Sequence, residues 1–293
     1  MGESFTLQRK DLPELYRVGS AHSAKGRQQS ARWLAVQLAL LSAGAGIGAI
    51  DGVKIGALDL GAASAVAALL LSLVPATWLA MRNPQRSWYE GRAAAESIKT
   101  LVWKYSVRAQ PFDHDDESAV ARLTSDFAAV RSEISSIAWP SESMSVTPAM
   151  QQLRDSALAE RKNAYLTGRL AEERTWYTAK ARRHRQMHRM WSILVFGATA
   201  VGLLTGALDA FGVVSYDGLG AATAAAAGAT AWLQMKQHRP LATAYELTGR
   251  DLAAASRTLA SIEEERDWAR RAEEAEEAVS REHTMWIARR EAA

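Results

Sequence analysis

Two uncharged stretches constrain this chain more than anything else in it: Leu34 to Ile50 carries no charged residue, and Leu60 to Met81 carries none across 22 residues. An α-helix needs about 20 residues to cross a hydrocarbon core of ~30 Å, so both stretches are of membrane-spanning length. The nine residues between them, Asp51 to Asp59, allow only a tight reversal. The pair predicts a transmembrane helical hairpin with spans at about 33–50 and 60–81. A shift of 158 residues finds the pattern again, placing Trp33 on Trp191, Gly44 on Gly202, Gly48 on Gly206, and Asp51 and Asp59 on Asp209 and Asp217. The same shift, without a gap, pairs Gly91-Arg92 with Gly249-Arg250 and Thr100-Leu101 with Thr258-Leu259. The chain reads as a tandem duplication: a first repeat at 1–139, a linker at 140–148, and a second repeat at 149–293 with spans at about 190–208 and 218–235. The expected fold is an all-α membrane protein with four transmembrane helices and long amphipathic cytoplasmic helices.

Charge placement orients such a bundle, because cytoplasmic flanks carry the Lys/Arg excess. Lys25, Arg27, Arg32, Arg82 and Arg86 flank the open end of the first hairpin, and Arg182, Arg183, Arg185, Arg189, Lys236 and Arg239 that of the second. The closed ends hold only Lys54. Both termini are therefore expected in the cytoplasm and both short loops outside, with the repeats in parallel orientation. The first 30 residues lack the apolar core of a signal peptide, so the stretch from Trp33 reads as an anchor.

Within the spans, small residues recur at spacing four: Gly44 and Gly48, Gly202 and Gly206, Gly220 with Ala224 and Gly228. That spacing lines one helix face with hydrogen or methyl and suits close helix packing in lipid. The fourth span is so rich in alanine that it is expected to insert only with its partner. Pro75 reads as a static kink or a hinge. Ser42, Ser64, Ser72, Thr199 and Thr205 are the hydroxyls from which a polar pore lining would be drawn, and back-bonding to helix carbonyls is their ordinary role. Asp51, Asp59, Asp209 and Asp217 would form an acidic ring at the pore mouths of an oligomer, or simply end helices on the non-basic side.

The polar segments carry no reaction motif. With no cysteine there is neither a thiolate metal site nor a cysteine nucleophile, and no G-x-S-x-G, H-E-x-x-H, Walker or Rossmann pattern occurs. No enzyme and no cofactor is expected. Asp113 to Asp116 could hold a metal only with help from elsewhere, and suits a helix N-cap and first turn. A net charge of +3, gathered at membrane flanks, favours lipid headgroups over nucleic acid.

Helix patterns fill the rest. Leu12, Leu15 and Tyr16 predict a short amphipathic helix before a loop at Gly19 to Ser23. Trp88, Arg92, Glu96, Lys99 and Trp103 share a helix face, with Arg92–Glu96 and Glu96–Lys99 as surface pairs and the tryptophans at the headgroup boundary. Ala149 to Arg189 predicts one long polar helix, and the 50 residues after Pro240 predict one coiled-coil-like helix whose seam includes Leu252, Leu259, Arg266, Ala269, Glu273, Glu276 and Val279.

The Trp88-Tyr89 pair, the Gly-Arg-x-x-Ala-Glu-Ser-x-Lys-x-x-x-Trp-x-Tyr run from Gly91 to Tyr105, and the Glu-His-x-x-Trp at Glu282 to Trp286 resemble the SLATT group, in two fused copies. The resemblance implies a membrane-embedded effector of bacterial conflict or stress systems, antiphage defence among them. Such effectors are thought to oligomerise into pores or channels once a nucleotide second messenger or a sensor protein encoded nearby signals. The expected partners are the lipid bilayer and further copies of the chain, in the bacterial inner membrane. A scaffold that recruits a cytoplasmic partner is the alternative, since a purely helical anchor has the same sequence pattern.

Overall fold

The computed structural model describes residues 5–48, 54–55, 58–140, 146–213 and 218–291, with side chains of the last helix described through Val279. Apart from one two-residue antiparallel pair, its regular structure is helical. The order is α1 (Glu14–Gly48), β1 (Lys54–Ile55), β2 (Leu58–Asp59), α2 (Leu60–Arg82), α3 (Pro84–Ser106), α4 (Asp116–Glu133) and α5 (Pro148–Asp155). There follow α6 (Leu158–Ala164), which runs through a π-turn (Tyr165–Leu170) into α7 (Ala171–Ala210), then α8 (Gly218–Lys236), α9 (His238–Ala260) and α10 (Glu265–Glu291). Three helical stretches among the described residues are long and apolar enough to cross a membrane: Glu14–Ile47, Leu60–Ser106 and Leu158–Ala210. The alanine-rich α8 is helical but falls short of that apolarity.

The chain forms two compact units, and each draws segments from both repeats. An apolar unit comprises residues 28–83 and 179–246, and a polar unit comprises 1–27, 84–178 and 247–293. In the polar unit the core is built from Leu12 and Leu15 of the N-terminal segment, Ile98, Val102 and Trp103 of α3, Leu123 and Phe127 of α4, and Trp268 and Ala272 of α10, all buried. Trp268 donates from Nε1 to the Val107 carbonyl at 2.8 Å, and the Gln110 N–H donates to the Ala269 carbonyl at 3.0 Å, which seats α10 on the turn after α3.

Several expectations are corrected. No loop interrupts Gly19 to Ser23; α1 is continuous there, and its glycines serve a helix crossing. A Cβ at Gly26 would stand 2.5 Å from the Trp88 nitrogen, and one at Gly91 would stand 2.5 Å from the Ser23 nitrogen. The Ser23 hydroxyl donates to the Trp88 carbonyl at 3.1 Å. Trp103 is buried in the bundle instead of lying at a headgroup boundary, and Lys99 reaches across to Glu173 of α7.

The predicted helix from Ala149 to Arg189 breaks at Ser156, whose hydroxyl back-bonds to the Leu153 carbonyl at 2.7 Å. The buried Arg161 guanidinium donates to the Arg154 and Ser156 carbonyls at 3.3 and 3.2 Å, satisfying groups that the break leaves unpaired. Nor is the C-terminal region one helix. It breaks between Ala260 and Glu265, where Glu263, Glu264 and Glu265 would sit badly at a helix C-terminus but suit the start of α10.

The repeat register also shifts. Ring pairs close each hairpin, Trp33 with Trp78 at 5.1 Å and Trp191 with Trp232 at 5.8 Å. The first members are 158 residues apart but the second only 154, so α8 has 19 residues against 23 in α2. Both second helices end at a left-handed residue, Asn83 (φ 37°) and Gln237 (φ 45°), whose N–H groups bond back to Leu79 and Leu233. The 158 spacing returns at Gly91 and Gly249.

The two equivalent glycines provide the test of this packing. A Cβ at Gly249 would meet Thr178 Oγ1 at 3.7 Å, ordinary contact. Gly91→Ala is expected to lower stability by about 1–3 kcal/mol through forced backbone separation, whereas Gly249→Ala is expected to be neutral or stabilising by up to about 1 kcal/mol from helix propensity. Thermal unfolding of the two variants checks the difference.

Candidate functional site

In the apolar unit several of the small residues lie close to a neighbouring helix. A Cβ at Gly44 would lie 3.3 Å from the Ala65 carbonyl, so α1 and α2 meet there. On α7, one at Gly202 would lie 3.0 Å from Ala222 Cβ, and one at Gly206 would lie 3.3 Å from Leu219 Cδ2. Gly218, the first residue of α8, is tighter, at 2.6 Å from Thr205 Cβ. A Cβ at Gly228 would lie 3.5 Å from Ser42 Oγ, so a helix of each repeat meets there. Gly220 is half-buried on α8, and Gly48 is the last residue of α1.

Of the candidate lining hydroxyls, Ser72 donates to the Leu69 carbonyl at 2.6 Å, Thr199 to Val195 at 2.9 Å, and Thr205 to Val201 at 2.9 Å. Ser42 and Ser64 are exposed. Pro75 is buried within α2, which continues through it to Arg82 and ends at the left-handed Asn83. The Asn83-Pro84 dipeptide is the sequence signal for that break. Asp59 is the N-cap of α2, accepting from the Ala62 N–H at 3.0 Å, and Asp209 is exposed near the end of α7. Asp51 and Asp217 lie outside the described residues.

The polar unit contains an ionic centre that periodicity did not single out. Tyr165, Arg169, Glu173 and Tyr177 are all buried at spacing four along one helix. Side chains four apart drift around a regular α-helix, and the extra residue taken up by the π-turn at Tyr165–Leu170 offsets that drift. Arg169 and Glu276 of α10 have no exposed side-chain surface and pair through two hydrogen bonds, Nε to Oε1 at 2.8 Å and Nη2 to Oε2 at 2.9 Å. Glu276 also accepts from the Tyr165 hydroxyl at 2.9 Å and from Thr100 Oγ1 of α3 at 3.0 Å. Arg169 Nη1 donates to Glu173 at 2.7 Å, and Glu173 in turn receives Lys99.

Burial by itself raises the Glu276 carboxyl, but the Arg169 charge and the bonds from Arg169, Tyr165 and Thr100 outweigh it and hold the group below the ordinary carboxylate value. Burial and the neighbouring Glu276 charge push the Tyr165 hydroxyl well up, so it stays a donor.

A second buried guanidinium organises the turn after α3. Arg154 donates to the Tyr105, Phe112 and His114 carbonyls at 2.9, 2.8 and 2.9 Å, pairs with Asp116 at 2.8 Å, and lies over the Tyr105 ring. Asp115 is the N-cap of α4, accepting from the Ser118 N–H at 2.9 Å, so the acidic run at Asp113 to Asp116 has the capping role. Among the described residues no three metal-ligating side chains converge.

Residues 13–162 match the family model of the SMODS and SLOG-associating 2TM effector domain 3, and residues 165–286 match that of the SMODS and SLOG-associating 2TM effector domain 1. No curated protein and no solved structure matches the chain.

The ionic centre yields a stability prediction. Glu276→Gln leaves Arg169 buried with half its neutralisation and is expected to cost about 3–5 kcal/mol. Because the folded-state value of Glu276 is depressed, its contribution is fully present above the ordinary carboxylate range and is lost as pH falls through the lower folded value. Thermal melts between pH 3 and pH 7 are expected to show an acid-side loss in the wild type that is smaller in Glu276→Gln.

Proposed function

The chain belongs to the SLATT group of two-transmembrane effector domains, carrying two in tandem, and we propose that it acts as a homo-oligomeric channel or pore in the bacterial cytoplasmic membrane. Membership makes it a membrane effector of conflict systems; the conduction, the assembly and the topology are our reading. Four crossings, with both termini cytoplasmic and both short loops external, agree with the basic residues on the open flanks of the hairpins.

The observation that carries the proposal is the outer surface of the apolar unit. Leu70 and Val74 of α2 and Phe196 and Leu203 of α7 are each more than half exposed. Patches of this extent are stable only against lipid or against other apolar helices. A large exposed apolar face together with glycine-packed hairpins supports an assembly of several copies. The weakly apolar α8 is the span best suited to the inside of such an assembly. The polar unit, with its buried ionic centre, is the part on which an activating nucleotide or sensor protein would act.

A non-conducting scaffold is the second reading. It is favoured by one observation: Ser72, Thr199 and Thr205 spend their hydroxyls on their own helices. Planar-bilayer recording of the purified chain, with and without the product of a neighbouring sensor gene, separates the two. The pore reading expects cation-preferring conductance that loses its preference when Asp51, Asp59, Asp209 and Asp217 are all changed to Asn. Absence of conductance under every activating condition would leave the scaffold. Topology is checked in the cysteine-free background with Phe211→Cys, expected to react with membrane-impermeant maleimide in intact cells.

A further inference from the structure

The two hairpins narrow to different chemistries. In the second, His184 of α7 meets His238, the first residue of α9, directly after the left-handed Gln237 that ends α8. Their Nδ1 atoms are 3.1 Å apart and their ring centroids 5.0 Å apart, and the Tyr245 ring packs edge-on against His184 at 5.5 Å. Two imidazoles facing through Nδ1 hold one proton between them, donor to acceptor. Charging both rings puts an N–H on each Nδ1, so two donors point at each other and two like charges share one contact.

In the first hairpin the matching positions carry no titratable group. The 158-residue shift takes His184 to Gly26, and the 154-residue spacing of the two left-handed breaks takes His238 to Pro84. There a Cβ on Gly26 would lie 2.8 Å from the Pro84 carbonyl, so backbone meets backbone.

We infer that the neck of the second hairpin is a proton-responsive contact, in which charging both His184 and His238 separates α7 from the start of α9. This inference stands whether or not the spans conduct. The groups facing the pair favour that outcome. Lys180 and Arg183 of α7 and Lys236 of α8 surround it with positive charge, and His188 of α7 is a third imidazole beside it. On α9, Glu246 is engaged with Arg185 at 2.5 Å.

Burial, the neighbouring His238 and the two cations push His184 down to about 4, and burial with Lys236 pushes His238 down as well. A depressed folded value means that the closed neck is fully favoured above the ordinary histidine value of about 6.5 and is lost as pH falls toward 4.

The test is a distance measurement in the full chain in nanodiscs. Spin labels at Gln186→Cys and Thr243→Cys, both exposed positions, report on the second neck. Labels at Arg27→Cys and Gln85→Cys, also exposed, report on the first. Between pH 8 and pH 5 the separated population of the second neck is expected to rise about tenfold, with the first neck unchanged. His184→Gln/His238→Gln, whose fold is checked by the unchanged first-neck distance, is expected to abolish the response. A second-neck distance that does not change with pH, or a response that survives in the double variant, would overturn the inference.

Discussion

A guanidinium and a carboxylate without exposed surface, Arg169 and Glu276, are the interaction on which the polar unit depends. Two charges removed from water cost several kcal/mol each, and only excellent geometry with every remaining lone pair satisfied repays that cost. Tyr165, Thr100 and Glu173 complete the set, so the centre requires α3, the π-turn region and α10 to be in place together. Such a centre stabilises weakly as a net sum but penalises heavily any arrangement in which one helix is missing. That makes it suited to holding a single arrangement of the polar unit.

The apolar unit obeys the opposite physics. Lipid supplies no hydrophobic force between helices, so contact relies on close approach, and the glycines at 44, 202, 206, 218 and 228 lie where neighbouring helices come nearest. The hydroxyls of Ser72, Thr199 and Thr205 are satisfied within their own helices, and Asp59 caps the start of α2. The same duplication has been tuned differently in its two halves. The second hairpin has the shorter α8, the more alanine-rich span and the histidine neck, whereas the first has the longer helix and the glycine-proline neck.

The long apolar helices were legible in the sequence because an uncharged run of membrane length has few alternatives. The helix breaks were less so. Gly19 looked like a turn residue but serves a crossing, and the break at Ser156 depends on Arg161 reaching back to cap it. The gapless register failed because four residues are missing from α8 and are recovered before Gly249, which leaves matching motifs at both ends. The ionic centre was hidden because arginine and glutamate on a polar helix read as a solvated face. Glu276 stood on the predicted seam, but Arg169 is recognised only when Tyr165, Glu173 and Tyr177 are taken with it as a strict spacing-four stripe.

The two effector domains are interlocked, with Thr100 and Lys99 of the first bonded to Glu276 and Glu173 of the second. A protease site introduced between Pro140 and Val146, cleaved in the purified full-length protein in mild detergent, tests this most directly. Interlocked repeats predict that the two halves stay together on size exclusion and melt in one transition close to that of the uncut chain. Separation of the halves into two stable species, each melting independently, would contradict the account.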